Sequence, residues 1–204
     1  MKKQQFETSL PDGYIAVKVI DATDKKTVLR LNVCTLILTA AGMVLTVVLC
    51  GGYPALRGFL LPTLLIFLLS MTVYIVLHEL VHGAVYKLFT RHSLTFGMTR
   101  FAAYCGVPDL YVYRKTALAA VAAPFLAFTV LFGAAILFIP VLQIRFLFGL
   151  LLSFHIGGCT GDLYDTGLFL FCLRDPDLLL SDTGLVQTFY LPDRQTPGDH
   201  TASL

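Results

Sequence analysis

The sequence predicts an all-α membrane protein with four transmembrane helices, a short β-hairpin after the second helix and small cytoplasmic terminal segments. Composition supports this class, because the 204 residues are 56% hydrophobic and only 14% charged. A soluble domain carries about 25% charged residues. Four apolar runs follow a polar N-terminal segment, and each is long enough to cross a hydrocarbon core of about 30 Å.

The apolar runs divide the chain into three parts, which are a cytoplasmic segment at 1–30, a four-helix transmembrane domain at 31–173 and a cytoplasmic tail at 174–204. The runs themselves lie at 31–49, 60–77, 117–139 and 142–173. The second helix is expected to continue to about residue 89, and Pro124 is expected to kink the third. Alternating and β-branched residues predict a hairpin within 94–105 and single strands at 14–20 and 185–190.

Basic residues predict the orientation in the membrane. Two segments are rich in lysine and arginine, whereas the first and third loops have one basic residue each, Arg57 and Arg145. The positive-inside rule therefore puts both termini and the second loop in the cytoplasm. A net charge of +2 that is spread over the loops gives no reason to expect a nucleic-acid partner. The two rich segments contain Lys2, Lys3, Lys18, Lys25, Lys26 and Arg30, and Lys87, Arg91, Arg100, Arg114 and Lys115.

The segment His78-Glu79-Leu80-Val81-His82 predicts a metal site. Histidines four residues apart lie on one face of a helix and can bind one zinc ion together. The metal lowers the pKa of a bound water to about 7, and Glu79 can accept its proton as general base. Ionisable groups within an apolar run are costly and indicate function. The alternative is a polar cluster bonded to backbone and water.

Asp162 is the candidate third zinc ligand, because the second and fourth helices are both predicted to start at the outer side. Counted from residues 60 and 142, His78 and Asp162 lie at depths that agree within about one turn. Asp165 and His155 compete with it. Asp165 lies about one turn deeper and is expected to accept a hydrogen bond from a ligand imidazole. His155 lies about 10 Å nearer the outside. It is either a residue that supports the site or lines the substrate path, or an ordinary buried histidine.

The chain resembles the zincin peptidase family of small bacterial membrane proteins and, more distantly, the site-two proteases. The resemblance covers about 74–173 and is carried by the segment from His78 to Gly83, by Phe96-Gly97, by Ala123-Pro124 and by Gly161-Asp162. It implies zinc ligands at His78, His82 and Asp162, with Glu79 as base. It also implies that the segment after the motif receives an extended substrate as an added strand.

Three functions remain open from the sequence. The first is a membrane-embedded zinc metallopeptidase that cleaves a membrane-associated protein or peptide. The second is a catalytically silent zinc-binding scaffold, and the third is a transporter or proton relay with His155, Asp162, His78 and Glu79 as its polar path. Metal content separates the third from the others, and turnover separates the first from the second.

Overall fold

The protein is mostly helical, as the sequence predicts, and also contains a small antiparallel sheet. The computed structural model describes residues 5–52, 57–99 and 103–194. Residues 1–4, 53–56 within the predicted first loop, 100–102 within the predicted hairpin and the chain end from 195 lie outside these ranges. The helices are α1 (Lys25–Leu49), α2 (Leu60–Thr90), α3 (Arg114–Phe138), α4 (Leu142–Gly158) and α5 (Thr160–Gly167), with a π turn at Leu168–Cys172. The strands are β1 (Phe6–Glu7), β2 (Tyr14–Asp21), β3 (Thr95–Met98), β4 (Ala103–Tyr113), β5 (Leu179–Asp182) and β6 (Val186–Pro192).

Helix α1 has the surface of a membrane helix. It begins at Lys25, where the carboxylate of Asp24 accepts hydrogen bonds from the backbone N–H and the hydroxyl of Thr27, both at 2.9 Å. No residue of α1 is buried, and Leu36 and Leu49 are 69% and 74% exposed. Apolar side chains exposed over most of the surface of a helix require a nonpolar surrounding.

Helix α1 packs closely against α4 through small residues. A Cβ added at Gly157 would lie 2.7 Å from the carbonyl oxygen of Thr35, so only glycine permits this approach. Nearby, the hydroxyls of Thr46 and Ser153 lie 3.2 Å apart and form a hydrogen bond between the two helices. Such small-residue contacts are typical of helices that associate in lipid.

Helix α2 turns one face toward the protein interior. Its buried side chains recur every three or four residues, and the two motif histidines belong to the same stripe. The stripe packs against aromatic side chains of α3 and large apolar side chains of α4. The helical period therefore directs the motif inward rather than toward lipid. The stripe consists of Phe67, Met71, Tyr74, His78, His82 and Tyr86.

Among the described residues, three helices, α1, α2 and α3, are long and apolar enough to cross a membrane. A fourth span exists if α4 and the segment Thr160–Cys172 are counted together, although they meet at a 48° bend. The run predicted as a fourth span at 142–173 is thus two helical segments that meet at a bend, while its passage across the membrane stays a prediction. Gly157, Gly158 and Gly161 surround the break, and glycine weakens a helix interior by about 1 kcal/mol.

The sheet joins both ends of the chain to the segment after α2. Its strand order is β1-β4-β5-β6-β2, and β3 pairs with the remaining part of β4. The strands predicted near 14–20 and 185–190 pair with each other as β2 and β6. The segment of the predicted hairpin forms the antiparallel β3–β4 pair, with Phe96 opposite Cys105. The all-α prediction missed β1, β5 and the joining of the strands into one sheet. The domain boundaries at residues 30 and 173 stay a prediction.

Candidate metal centre

The structure brings His78, His82 and Asp162 together. Nε2 of His78 lies 3.2 Å from Oδ2 of Asp162, and Nε2 of His82 lies 3.4 Å from Oδ1. Asp162 comes from the first turn of α5, just after the bend at Cys159. The three side chains offer ligand atoms that all lie within 4.8 Å of one another. The proximity expected from helix depth is therefore present, while zinc ligation itself stays a prediction.

These distances fit a tetrahedral zinc ion. Zinc binds imidazole nitrogen and carboxylate oxygen at about 2.0–2.2 Å, so two of its ligand atoms lie about 3.4 Å apart. The two measured separations are 3.2 and 3.4 Å. Two imidazoles and one carboxylate are also a common ligand set for zinc sites that keep a position open to water.

The hydrogen bonding of His82 also favours a cation at this place. Its Nδ1 lies 2.8 Å from the backbone carbonyl oxygen of Ala120. A carbonyl can only accept, so Nδ1 must carry the hydrogen. In the neutral imidazole, Nε2 then presents a lone pair to the carboxylate of Asp162. Two facing acceptors repel each other unless a positive charge lies there, supplied by a metal ion or by a second proton on His82.

His78 is held by a chain of buried hydrogen bonds. The Tyr74 hydroxyl lies 3.2 Å from Nδ1 of His78 and 2.7 Å from Nδ1 of His155. At the far end, Nε2 of His155 lies 3.2 Å from the carbonyl oxygen of Phe125 and from the hydroxyl of Thr129. The Phe125 carbonyl requires a hydrogen on Nε2 of His155, so in the neutral ring Nδ1 accepts from Tyr74. Tyr74 can then accept from Nδ1 of His78, which leaves Nε2 of His78 free to bind metal.

A second group of possible ligands consists of His78, His155 and Cys159. Its contacts are complete without an ion. Tyr74 lies within hydrogen-bonding distance of both imidazoles, and Sγ of Cys159 lies 3.4 Å from Nδ1 of His155. In the group of His78, His82 and Asp162, the carboxylate faces the two imidazoles directly, without a hydroxyl between them in these contacts. The donor chemistry therefore favours His78, His82 and Asp162.

Glu79 lines the same cavity as the three candidate ligands. This cavity has a volume of about 380 Å³ and is bounded by residues of α1, α2, α5, β4 and the β5–β6 pair. Glu79 lies beside His78 in the chain and is partly buried. A carboxylate that lines the same cavity as the metal position can exchange a proton with a bound water, as a general base requires.

Two further carboxylates, Asp165 and Asp182, form part of the cavity wall. Asp165 is buried and is hydrogen-bonded to Gln187 of β6. Asp182 of β5 accepts hydrogen bonds from the Tyr86 hydroxyl and the Gly184 N–H, both at 2.8 Å. Burial raises the pKa of the Asp182 carboxyl, against the lowering effect of these bonds. Asp165 thus has Gln187 as a partner, while the expected bond from a ligand imidazole stays a prediction.

Cys105 also lines the cavity but is a poor candidate ligand. Burial, followed by the nearby charges of Glu79 and Asp182, raises the pKa of the Cys105 thiol to about 12. The candidate ligand groups found among the described residues do not include Cys105.

Sequence reasoning missed four other side chains that line the cavity, namely Tyr74, Tyr86, Asp182 and Gln187. Helical spacing could have indicated the tyrosines, because Tyr74 precedes His78 by one turn and Tyr86 follows His82 by one turn. Asp182 and Gln187 gave no such signal. They reach the cavity only through strand pairing between β5 and β6.

Strand β3 lies directly against the motif helix. A Cβ added at Gly83 would lie 2.6 Å from Cζ of the Phe96 ring, so the glycine that follows His82 makes room for this strand. Gly83 is buried and Phe96 is exposed. The contact joins the Phe96-Gly97 segment to the motif helix.

Comparison with known proteins identifies the family. No curated protein and no solved structure matches the chain. Residues 71–175 match the family described as "Putative zincin peptidase", and this range covers just over half of the 204 residues. It contains the motif, the Ala120 carbonyl, Pro124 and Asp162. The chain therefore belongs to the zincin peptidase family that this description names.

Proposed function

We propose that the protein is a membrane-embedded zinc metallopeptidase that hydrolyses a peptide bond in a membrane-associated protein or peptide. The observation that carries this proposal is the meeting of two imidazole Nε2 atoms and one carboxylate, at 3.2 and 3.4 Å, in a cavity that Glu79 also lines. Membership of the zincin peptidase family supports it.

His78, His82 and Asp162 would hold the metal ion. Zinc, when bound, would polarise a peptide carbonyl and lower the pKa of a water molecule to about 7. The neighbours of the two histidines hold their rings in position. The Ala120 carbonyl receives the Nδ1 hydrogen of His82, and Tyr74 contacts Nδ1 of His78. Ring nitrogens oriented in this way are characteristic of metal-binding histidines.

Glu79 would act as the general base. Its carboxylate accepts a proton from the attacking water and then gives it to the nitrogen of the leaving amine. Its position next to His78 and its partial burial in the cavity wall suit this role. A general base of this kind contributes about 10²–10⁴-fold to the rate.

The substrate would bind in an extended form beside β3. In the described residues β3 pairs on one side only, with β4. Its other edge offers backbone groups to a further strand. Phe96 of β3 contacts Gly83, one residue after His82, so a peptide added to this strand would pass close to the metal position.

The proposed membrane arrangement has four spans, with both termini and the sheet in the cytoplasm. The bent segment from α4 to the π turn would be the fourth span. Helix α2 is 31 residues and thus about 46 Å long, more than the hydrocarbon core requires. His78 then lies about 27 Å from its start, near the cytoplasmic boundary, where water can reach the site.

A comparison of membrane-protein fragments tests this function. Cells that contain wild-type protein should produce cleavage fragments that are absent with Glu79→Gln. Glu7→Gln is the matched control, because Glu7 is the chain's other glutamate and lies on β1, where it bonds Tyr113. If the purified wild type holds zinc but no fragment depends on Glu79, the protein is a zinc-binding scaffold. If it holds no zinc, the metallopeptidase proposal is wrong.

A further inference from the structure

Helix α3, whose Ala120 carbonyl lies against the candidate ligand His82, contains a proline in its interior. The helix runs without interruption from Arg114 to Phe138, and Pro124 is buried within it. In an α-helix, each backbone N–H donates to the carbonyl four residues earlier. For the Ala120 carbonyl that donor belongs to residue 124, and proline has no N–H.

The same Ala120 carbonyl has a partner from another helix. Nδ1 of His82 on α2 lies 2.8 Å from this oxygen, and both groups are buried. The bond obliges Nδ1 to carry the hydrogen and leaves the Nε2 lone pair toward Asp162. The Ala120 carbonyl on α3, which lacks its usual helical N–H donor, thus accepts a hydrogen bond from the His82 side chain of α2.

We propose that Pro124 is a positioning residue for metal binding. By supplying no N–H, it reserves the Ala120 carbonyl for His82, and it thereby fixes both the ring orientation and the tautomer of this candidate ligand. The inference rests on the proposed zinc site but concerns a residue that makes no contact with the metal. The ring of an interior proline also clashes with the carbonyl four residues earlier, which favours tilting that carbonyl away from the helix axis.

Any other residue at 124 would restore an N–H aimed at Ala120. A carbonyl oxygen has two lone pairs, so this donor would share the oxygen with Nδ1 of His82, draw it toward the helix and weaken the bond from His82. The imidazole could then rotate or carry its hydrogen on Nε2, and in that tautomer it cannot bind metal through Nε2. Changes to the partner of a metal-binding histidine usually weaken metal affinity by about 10–100-fold.

Two substitutions distinguish the effect of a restored N–H on zinc affinity from the effect of a change in helix stability. Pro124→Ala and Pro124→Gly both restore the donor, but alanine favours a helix and glycine disfavours it. Ala123→Gly is the matched control, because it weakens the helix at the adjacent position without adding a donor at 124. The measurements are the zinc affinity of the full-length protein in detergent, by competition with a chelator, and the thermal midpoint of the metal-free protein.

Both Pro124 variants should lose about 10–100-fold in zinc affinity despite different thermal midpoints. Ala123→Gly should have a lower midpoint and the affinity of the wild type. The inference is overturned if the Pro124 variants bind zinc as tightly as the wild type, or if affinity follows the thermal midpoint in all three variants. A wild type that binds no zinc would instead refute the proposed function, and this inference with it.

Discussion

Nε2 of His78 lies 3.2 Å from Oδ2 of Asp162, although 84 residues separate them in the chain. The bend after Gly158 gives α5 its own direction, and Asp162 lies in the first turn of that short helix. The second candidate carboxylate, Asp165, lies about one turn further along and contacts Gln187 instead. Two acidic residues on one helix therefore have different partners.

This difference leads to a prediction about zinc content. Asp162→Ala should abolish zinc binding, since two histidines alone seldom hold a catalytic zinc firmly. Asp165→Ala is the matched control from the same helix and should retain the metal. Zinc per chain is measured after purification in mild detergent, with membrane insertion checked for both variants. The assignment would be contradicted if Asp165→Ala lost its zinc while Asp162→Ala retained it.

Glu79→Gln should leave zinc in place while reducing peptide hydrolysis by about 10²–10⁴-fold. The reason is that Glu79 is assigned to proton transfer and not to metal binding. Zinc content and turnover are measured on the same preparation, with His82→Ala as the variant that should lose both. If Glu79→Gln loses zinc as completely as His82→Ala does, its role is that of a ligand.

Tyr74→Phe should weaken zinc binding by about 10–100-fold, because the hydroxyl contacts Nδ1 of His78 and of His155. Tyr86→Phe is a matched control, since it removes another buried hydroxyl from the same helix. Tyr86 bonds Asp182 rather than a candidate ligand, so its loss should lower stability and leave zinc affinity unchanged. Chelator competition measures the affinities. Equal zinc affinities for the two variants would rule out a role of Tyr74 in orienting His78.

Gly157→Ala should destabilise the protein by about 1–3 kcal/mol, as overpacking usually does. Its Cβ would lie 2.7 Å from the Thr35 carbonyl oxygen, and backbone of α1 cannot move away easily. Gly158→Ala is the neighbouring control, because its nearest contact would be an ordinary 3.8 Å from the Phe154 ring. Thermal unfolding in detergent compares the two variants. Equal effects would mean that α1 and α4 are less closely packed than described.

Reporter fusions test the membrane orientation. Fusions after Phe6, near Arg100 and after Thr196 should all read cytoplasmic, and a fusion within 53–57 should read external. These positions follow from the distribution of lysine and arginine. An external signal near Arg100 would invert α2 and put the site at the opposite side of the membrane.

The sequence by itself determined the elements whose signal is local. Long apolar runs predicted the membrane helices, since each must shield its own backbone in lipid. The four-residue spacing of His78 and His82 predicted a shared face, because the helical period acts within one turn. The similar depths of His78 and Asp162 along their helices predicted Asp162 as the third ligand. Alternation and β-branched residues predicted β2 and β6 as strands.

Only the tertiary structure decided which groups complete the site. The Ala120 carbonyl meets His82 because α2 and α3 pack side by side, and Tyr74 meets His155 because α4 packs against α2. The bend at Cys159 separates His155 from Asp162, although both belong to one apolar run. Asp182 reaches the cavity through strand pairing. Such contacts depend on the packing of distant segments, and a hydrophobic pattern records which face is buried but not what that face touches.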